Sequence, residues 1–168
     1  MSYRFGTAFT AFLITAGGCA LLSAPALNAG ETESEVVAKL GRPTHRFQDG
    51  PEHLLEYMHG PAGQETFMAR FGADDRLISF QQVLTTAQFA TVKVGHATKS
   101  DVLHAIGTPS ETSYLARVDL EVWSYPYKEN GVWDSMMHVH FDQDGIVRKM
   151  LNGPDPRRDP DSHWPFLR

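Results

Sequence analysis

The sequence predicts an α+β protein made of two tandem copies of one unit, each with a short helix or helices packed on a three-stranded antiparallel sheet. Two observations carry that expectation. A helix-and-stop pattern of twelve residues occurs twice at an offset of 66, and alternating β-type segments follow each occurrence. The 168 residues are 42% hydrophobic and 21% charged, which excludes wholesale disorder, a collagen-like fibre and a multi-pass membrane protein. Net charge is −5 and the longest basic run is Arg157-Arg158. That argues against nucleic acid as a partner, because phosphate contacts need clustered Lys and Arg.

Residues 1–29 read as a signal peptide. Arg4 is the only charge before Glu31, and an apolar run from Phe5 to Leu22 leads into small residues. Gly17, Gly18 and Pro25 interrupt the run, leaving fewer than the about 20 clean apolar residues that a bilayer span needs. Ala16-Gly17-Gly18-Cys19 resembles a bacterial lipobox, which would make Cys19 the acylated first residue and outer-membrane lipid a partner. Ala24-Pro25-Ala26 and Leu27-Asn28-Ala29 offer ordinary cleavage sites, which would leave a soluble periplasmic protein. Either route removes the single thiol, so no disulfide or cysteine nucleophile is expected in the mature chain.

The first copy is placed at residues 30–84 and the second at 85–151. Thr32, Ser34, Val36, Gly41 and Pro43 recur as Thr98, Ser100, Val102, Gly107 and Pro109. Thr32 and Thr98 are expected N-caps, with Glu35 and Asp101 supplying the acidic third position of a capping box. Val36 with Leu40, and Val102 with Ile106, lie four apart and share a helix face. Gly41 and Gly107 can take a left-handed conformation that ends a helix, and Pro43 and Pro109 prevent its restart.

Three strands are expected after each stop. In the first copy they are 54–58, 67–71 and 77–83; in the second, 122–127, 136–141 and 146–150. The turns 73–76 and 142–145 make hairpins of the last two strands in each copy. Pro126 cannot donate to a ladder, so its strand is expected at an edge or irregular. A short helix is expected between the copies, at 86–92. The Pro-rich tail, 152–168, is assigned no element; its Trp164 and Phe166 either dock on the body or stay exposed. Copies of this size stand near the lower limit for an independent core, so they are expected to unfold together.

Helix, Leu-Gly-x-Pro or Ile-Gly-x-Pro, aromatic strand and Phe-x-x-Asp/Gly hairpin together resemble the SmpA/OmlA (BamE-like) outer-membrane lipoprotein family. Gly95-His96-Ala97-Thr98, Val122-Trp123-Ser124-Tyr125 and Phe141-Asp142-Gln143-Asp144-Gly145 carry the better match, in the second copy. The first copy lacks the hairpin glycine at Gly72-Ala73-Asp74-Asp75 and an obvious leading helix. The resemblance implies helices on a three-stranded sheet and a scaffold or assembly factor at the periplasmic face of the outer membrane. It implies association with the β-barrel assembly machinery or another envelope protein. Tandem copies of a similar unit also build the β-lactamase inhibitor proteins, which implies the alternative of a soluble periplasmic protein-binding or inhibitor module.

Little in the sequence suggests catalysis. Gly-x-Ser-x-Gly, His-Glu-x-x-His and phosphate-loop patterns do not occur, so neither an enzyme nor a cofactor is expected. The carboxylate pairs Asp74-Asp75 and Glu52/Glu56 are explained by a hairpin turn and a strand margin. His138 and His140 share one strand face, and Asp142 would extend the row, a weak candidate for a metal. Otherwise they form a solvent-facing polar row. His45, His53, His59 and His96 are expected on the surface, and His104 off the Val102/Ile106 stripe. Trp123, Tyr125 and Tyr127 alternate and, with Trp133, are the candidate protein-binding group. Either their face packs under the helices or it is exposed as an anchor for a partner.

Overall fold

A computed structural model describes residues 26–60 and 63–158. Cys19 and most of the expected leader, as well as Trp164 and Phe166, lie outside them. In sequence order the elements are α1 (Glu33–Leu40), β1 (His45–Asp49), β2 (Glu52–His59), β3 (Glu65–Phe71) and β4 (Leu77–Gln82). They continue as α2 (Thr86–Phe89), α3 (Lys99–Ile106), β5 (Glu111–Leu115), β6 (Leu120–Glu129), β7 (Trp133–Phe141) and β8 (Val147–Pro154). No helix among the described residues is long and apolar enough to cross a membrane.

Local chemistry sets the helix ends. The Thr32 hydroxyl accepts from the Glu35 amide while the Glu35 carboxylate accepts from the Thr32 amide, and Thr98 and Asp101 repeat the arrangement. This satisfies donors that a first helical turn would otherwise leave unpaired. These bonds hold the Glu35 and Asp101 carboxyls below their ordinary pKa. At the other end Gly41 (φ 84°, ψ −166°) and Gly107 (φ 81°, ψ −165°) have positive φ. Their ψ is extended rather than left-handed helical, a combination essentially confined to glycine.

Each half forms an antiparallel meander, in the orders β1-β2-β3-β4 and β5-β6-β7-β8. The sheets therefore have four strands rather than the expected three. The added strands are the edges β1 and β5. Phe47 is the one apolar side chain in β1, and all five residues of β5 are exposed, so neither has the buried alternating face by which a strand is recognised. Pro126 sits in β6, which is internal to its sheet. The β5 ladder ends at the Glu111–Ser124 pair, two residues short of Pro126, so its missing N–H leaves no β5 acceptor unpaired.

Both sheets bury one face under helix. Val36 of α1 packs with Leu55, Tyr57, Ala69, Phe71 and Leu77. On the second sheet Phe89, Val102 and Ile106 pack with Trp123, Tyr125, Tyr127, Val139, Phe141 and Val147. The opposite face of the first sheet is also covered, by the end of α3. The His104 ring packs edge-on to Phe47 at 6.1 Å, and its Nδ1 lies 3.5 Å from Asp49. The order of layers is thus α1, first sheet, α3, second sheet. Val83 clusters with Leu54 and Met68 of the first sheet and Leu84 with the second core, so the division between halves falls between adjacent residues.

Glu56 lies at the centre of this stack with no exposed surface. It is in mid-strand, not at the strand margin expected of it. Its carboxylate accepts the Thr108 amide at 2.6 Å and the Thr108 hydroxyl at 2.8 Å, and lies 2.7 Å from His45 Nδ1. A Cβ at Gly107 would stand 2.2 Å from Glu56 Oε1, whereas one at Gly41 would meet nothing within 4 Å. A second link joins Gln64, 4% exposed, to Asp134 at 2.6 Å.

Alanine at Gly41 should cost about 1–3 kcal/mol through backbone strain alone. Gly107→Ala should cost clearly more in the same urea titration, since strain and collision add. Glu56→Ala, which strands the Thr108 donors, should cost about 2–3 kcal/mol, and Glu56→Gln less because its amide oxygen still accepts. Calorimetry of the parent protein should show one transition for both halves.

Candidate functional site

The alternating row of β6 faces inward. Trp123, Tyr125 and Tyr127 are 8%, 0% and 1% exposed, so they are core and not the partner-binding face considered from sequence. The reason is the helix layer. Phe89 of α2 meets Tyr127 edge-on at 4.8 Å and the Tyr125 hydroxyl donates to Gly107 O, at the end of α3, at 3.1 Å, while within the sheet Phe141 of β7 packs on Trp123 at 4.7 Å. Burial, with the negative charge of Glu56 adding to it, raises the Tyr125 pKa well above the phenol value. Trp133 differs from the other three. At 69% exposed, beside Val132 at 66%, it projects where β6 turns into β7.

The other face of the second sheet carries His138 and His140. The cross-strand rows are Glu111, Ser124, His138 and Leu151, then Ser113, Val122, His140 and Lys149. All of these but Lys149 line a groove of about 360 Å³, bordered by Pro156 and Arg157. His140 is 8% exposed, so the expectation of a solvent-facing row is corrected. His138 Nδ1 lies 2.9 Å from the Ser124 hydroxyl, whereas His140 Nδ1 has no hydrogen-bond partner among the described residues. Asp142 does not extend the row. The register shifts between His140 and Phe141, and Asp142 accepts from the Ile146 amide at 2.9 Å and Arg148 Nε at 2.5 Å. Among the described residues no three His, Cys, Asp or Glu side chains come together as a metal site.

The remaining histidines divide. His45, His59 and His96 are exposed, while His53 is half-buried and stacks on Phe71 at 4.9 Å with planes 3° apart. The expected surface position of His53 is therefore corrected: its imidazole covers the end of a core ring. Two features of the groove escape sequence reasoning. Arg157 holds Asp155, 1% exposed, through Nε at 2.9 Å and a second guanidinium nitrogen at 2.8 Å. Ser124, on the opposite face to the aromatic row, supplies a polar floor. The Asp-x-Arg spacing is visible in sequence, but only the return of the backbone across the sheet gives it a use.

Burial lowers the pKa of both groove histidines, with His138 and Lys149 adding to the effect at His140. A lowered folded pKa means that the unfolded chain binds more protons, so stability falls as pH drops through and below 6.5. Replacing both by Gln should flatten that acid limb in urea titrations. Proton-resolved NMR of the parent protein should show both imidazoles titrating below 6.5.

No curated protein matches the chain. Among solved structures, a DUF4309 family protein (YjgB) from Bacillus subtilis is similar at 17% identity, over 72% of this chain and 76% of that one, with a TM-score of 0.28. Residues 82–150, from the end of β4 through α2 and α3 into β8, match the family model described as the outer membrane protein assembly factor BamE domain.

Proposed function

We propose that the protein is a non-catalytic scaffold or assembly factor at the periplasmic face of the outer membrane, which associates with the β-barrel assembly machinery. The match of residues 82–150 to the BamE domain is the observation that carries this reading. Two tandem copies of one unit, related by duplication, account for the paired caps and the same strand order in both halves.

Lipid attachment at Cys19 fits the packing of the first described residues. Leu27 packs against the first core, the Asn28 amide donates to Glu31 Oε1 at 2.9 Å, and the Gly30 amide donates to Leu77 O at 2.8 Å. Cleavage after Ala29 would remove Leu27 and Asn28 from that packing, whereas a start at Cys19, or at Leu27 after cleavage behind Ala26, keeps both. Trp133 is the remaining candidate for partner contact, because Trp is favoured as an anchor where its surroundings can exclude water. The inhibitor-type reading relied on an exposed Trp123, Tyr125 and Tyr127 face, and the burial of all three argues against it.

Affinity capture from detergent-solubilised envelopes tests the proposal. The intact protein should retain β-barrel assembly components, and Cys19→Ser should release the protein from membranes into the soluble periplasm. Trp133→Ala should weaken capture without lowering thermal stability. An unmodified mature N-terminus at Leu27 or Gly30, found by mass spectrometry, would remove the lipid anchor.

A further inference from the structure

We infer that the open edge of β5 pairs with the same edge of a second copy of the protein, antiparallel and in a two-fold register centred on Ser113. Each sheet has two edge strands, and three of the four are partly guarded. β1 carries His45, Arg46 and Asp49 among its five residues, and His104 of α3 packs on its Phe47. The first residues of β4 and β8 are bonded to the chain ahead of α1 and α3. Leu77 exchanges backbone hydrogen bonds with Gly30 and Glu31, and Val147 with Gly95 and Ala97. β5 has none of these devices. All five of its residues are exposed, and Glu111 is its one charge. An edge of this kind presents unpaired N–H and C=O groups as a template for another strand.

Exposed apolar surface collects on the same hairpin, where Tyr114, Leu115 and Val118 are 60%, 42% and 56% exposed. Its turn is held in shape. Asp119 accepts from the Tyr114 hydroxyl and from the Gln143 side chain, and the Val118 amide donates to Leu115 O at 3.1 Å. A pre-set edge loses less freedom on pairing. The strand, Glu-Thr-Ser-Tyr-Leu, also complements itself when two copies run antiparallel. Ser113 then faces Ser113 of the second copy, Thr112 faces Tyr114, and Glu111 faces Leu115. Thr beside Tyr is a favourable cross-strand pair, two serines can share a hydrogen bond, and no like charges are opposed. Glu111 and Arg117 make no salt bridge among the described residues. In this register each comes diagonal to the other across the two copies, within reach of a long side chain. A foreign strand would gain the backbone bonds without this matched charge, which favours a second copy. The same patch on both subunits gives a contact that closes on itself. Five strand residues a side make it small, so monomer and dimer should exchange with concentration.

Sedimentation velocity of the Cys19→Ser protein over a concentration series tests the inference. Self-association should rise with concentration. Leu115→Glu sets like charges against Glu111 twice across the two-fold axis and should weaken it about tenfold; adding Glu111→Lys should restore it. In the same background Ser113→Cys should give a disulfide between two molecules on mild oxidation. Residues opposed on antiparallel strands stand about 4.5–5.5 Å apart at Cα, a span that a disulfide bridges. Gln48→Cys, on the β1 edge, should not cross-link. A monomer at every concentration up to about 1 mM would overturn the inference. So would a dimer that Leu115→Glu leaves unchanged, or no more disulfide at position 113 than at position 48. Where circular dichroism shows that Leu115→Glu disturbs the fold, the disulfide comparison decides.

Discussion

A carboxylate sealed from water must find donors inside the protein, and Glu56 finds them on the other half of the molecule. The Thr108 amide and hydroxyl both point to it, so the end of α3 is held against the first sheet. That approach requires a residue without a side chain at position 107, since a Cβ there would overlap the carboxylate. The Gly107 carbonyl in turn accepts the Tyr125 hydroxyl from the second core. A short run, Gly107-Thr108, therefore ties together the buried faces of two sheets. Breaking it would leave polar groups without water or partners, so the contact couples the two halves.

The same constraint explains why α3 is two-sided. Val102 and Ile106 enter the second core, while His104 reaches Phe47 and Asp49 on the first sheet. α1 has a sheet on one side only, and its other side carries Ser34, Glu35, Ala38 and Lys39 exposed. The stack thus ends in a polar helix face at one extreme. At the other it ends in the second sheet's groove, where buried His140, half-buried His138, Ser124 and Leu151 meet the returning backbone. Aromatic residues that sequence offers as contacts for a partner are used instead to hold this stack together. Among that group only Trp133 remains on the surface.

Much of the local structure is legible in sequence because it rests on short-range chemistry. A Thr with an acidic residue three positions later has one way to satisfy a first helical turn, and Gly41 and Gly107 permit a positive φ that other residues resist. The last three strands of each sheet show themselves by their apolar and aromatic content. β1 and β5 do not, because an edge strand can be held by its ladder alone and needs few apolar side chains. Glu56 is equally hidden. Its neighbours in sequence are those of a strand, and its partner Thr108 belongs to the other half of the molecule.

The sequence by itself determined where α1 and α3 start and stop, the hairpins β3–β4 and β7–β8, and that one cap-and-stop pattern occurs in each half. Those features depend on neighbours within a few residues. Tertiary structure alone decided which face of each sheet is covered, that Trp123, Tyr125 and Tyr127 lie inside, and that Glu56 joins the halves. Those outcomes depend on which layer packs against which, and a strand's alternation marks two faces without saying what will cover either.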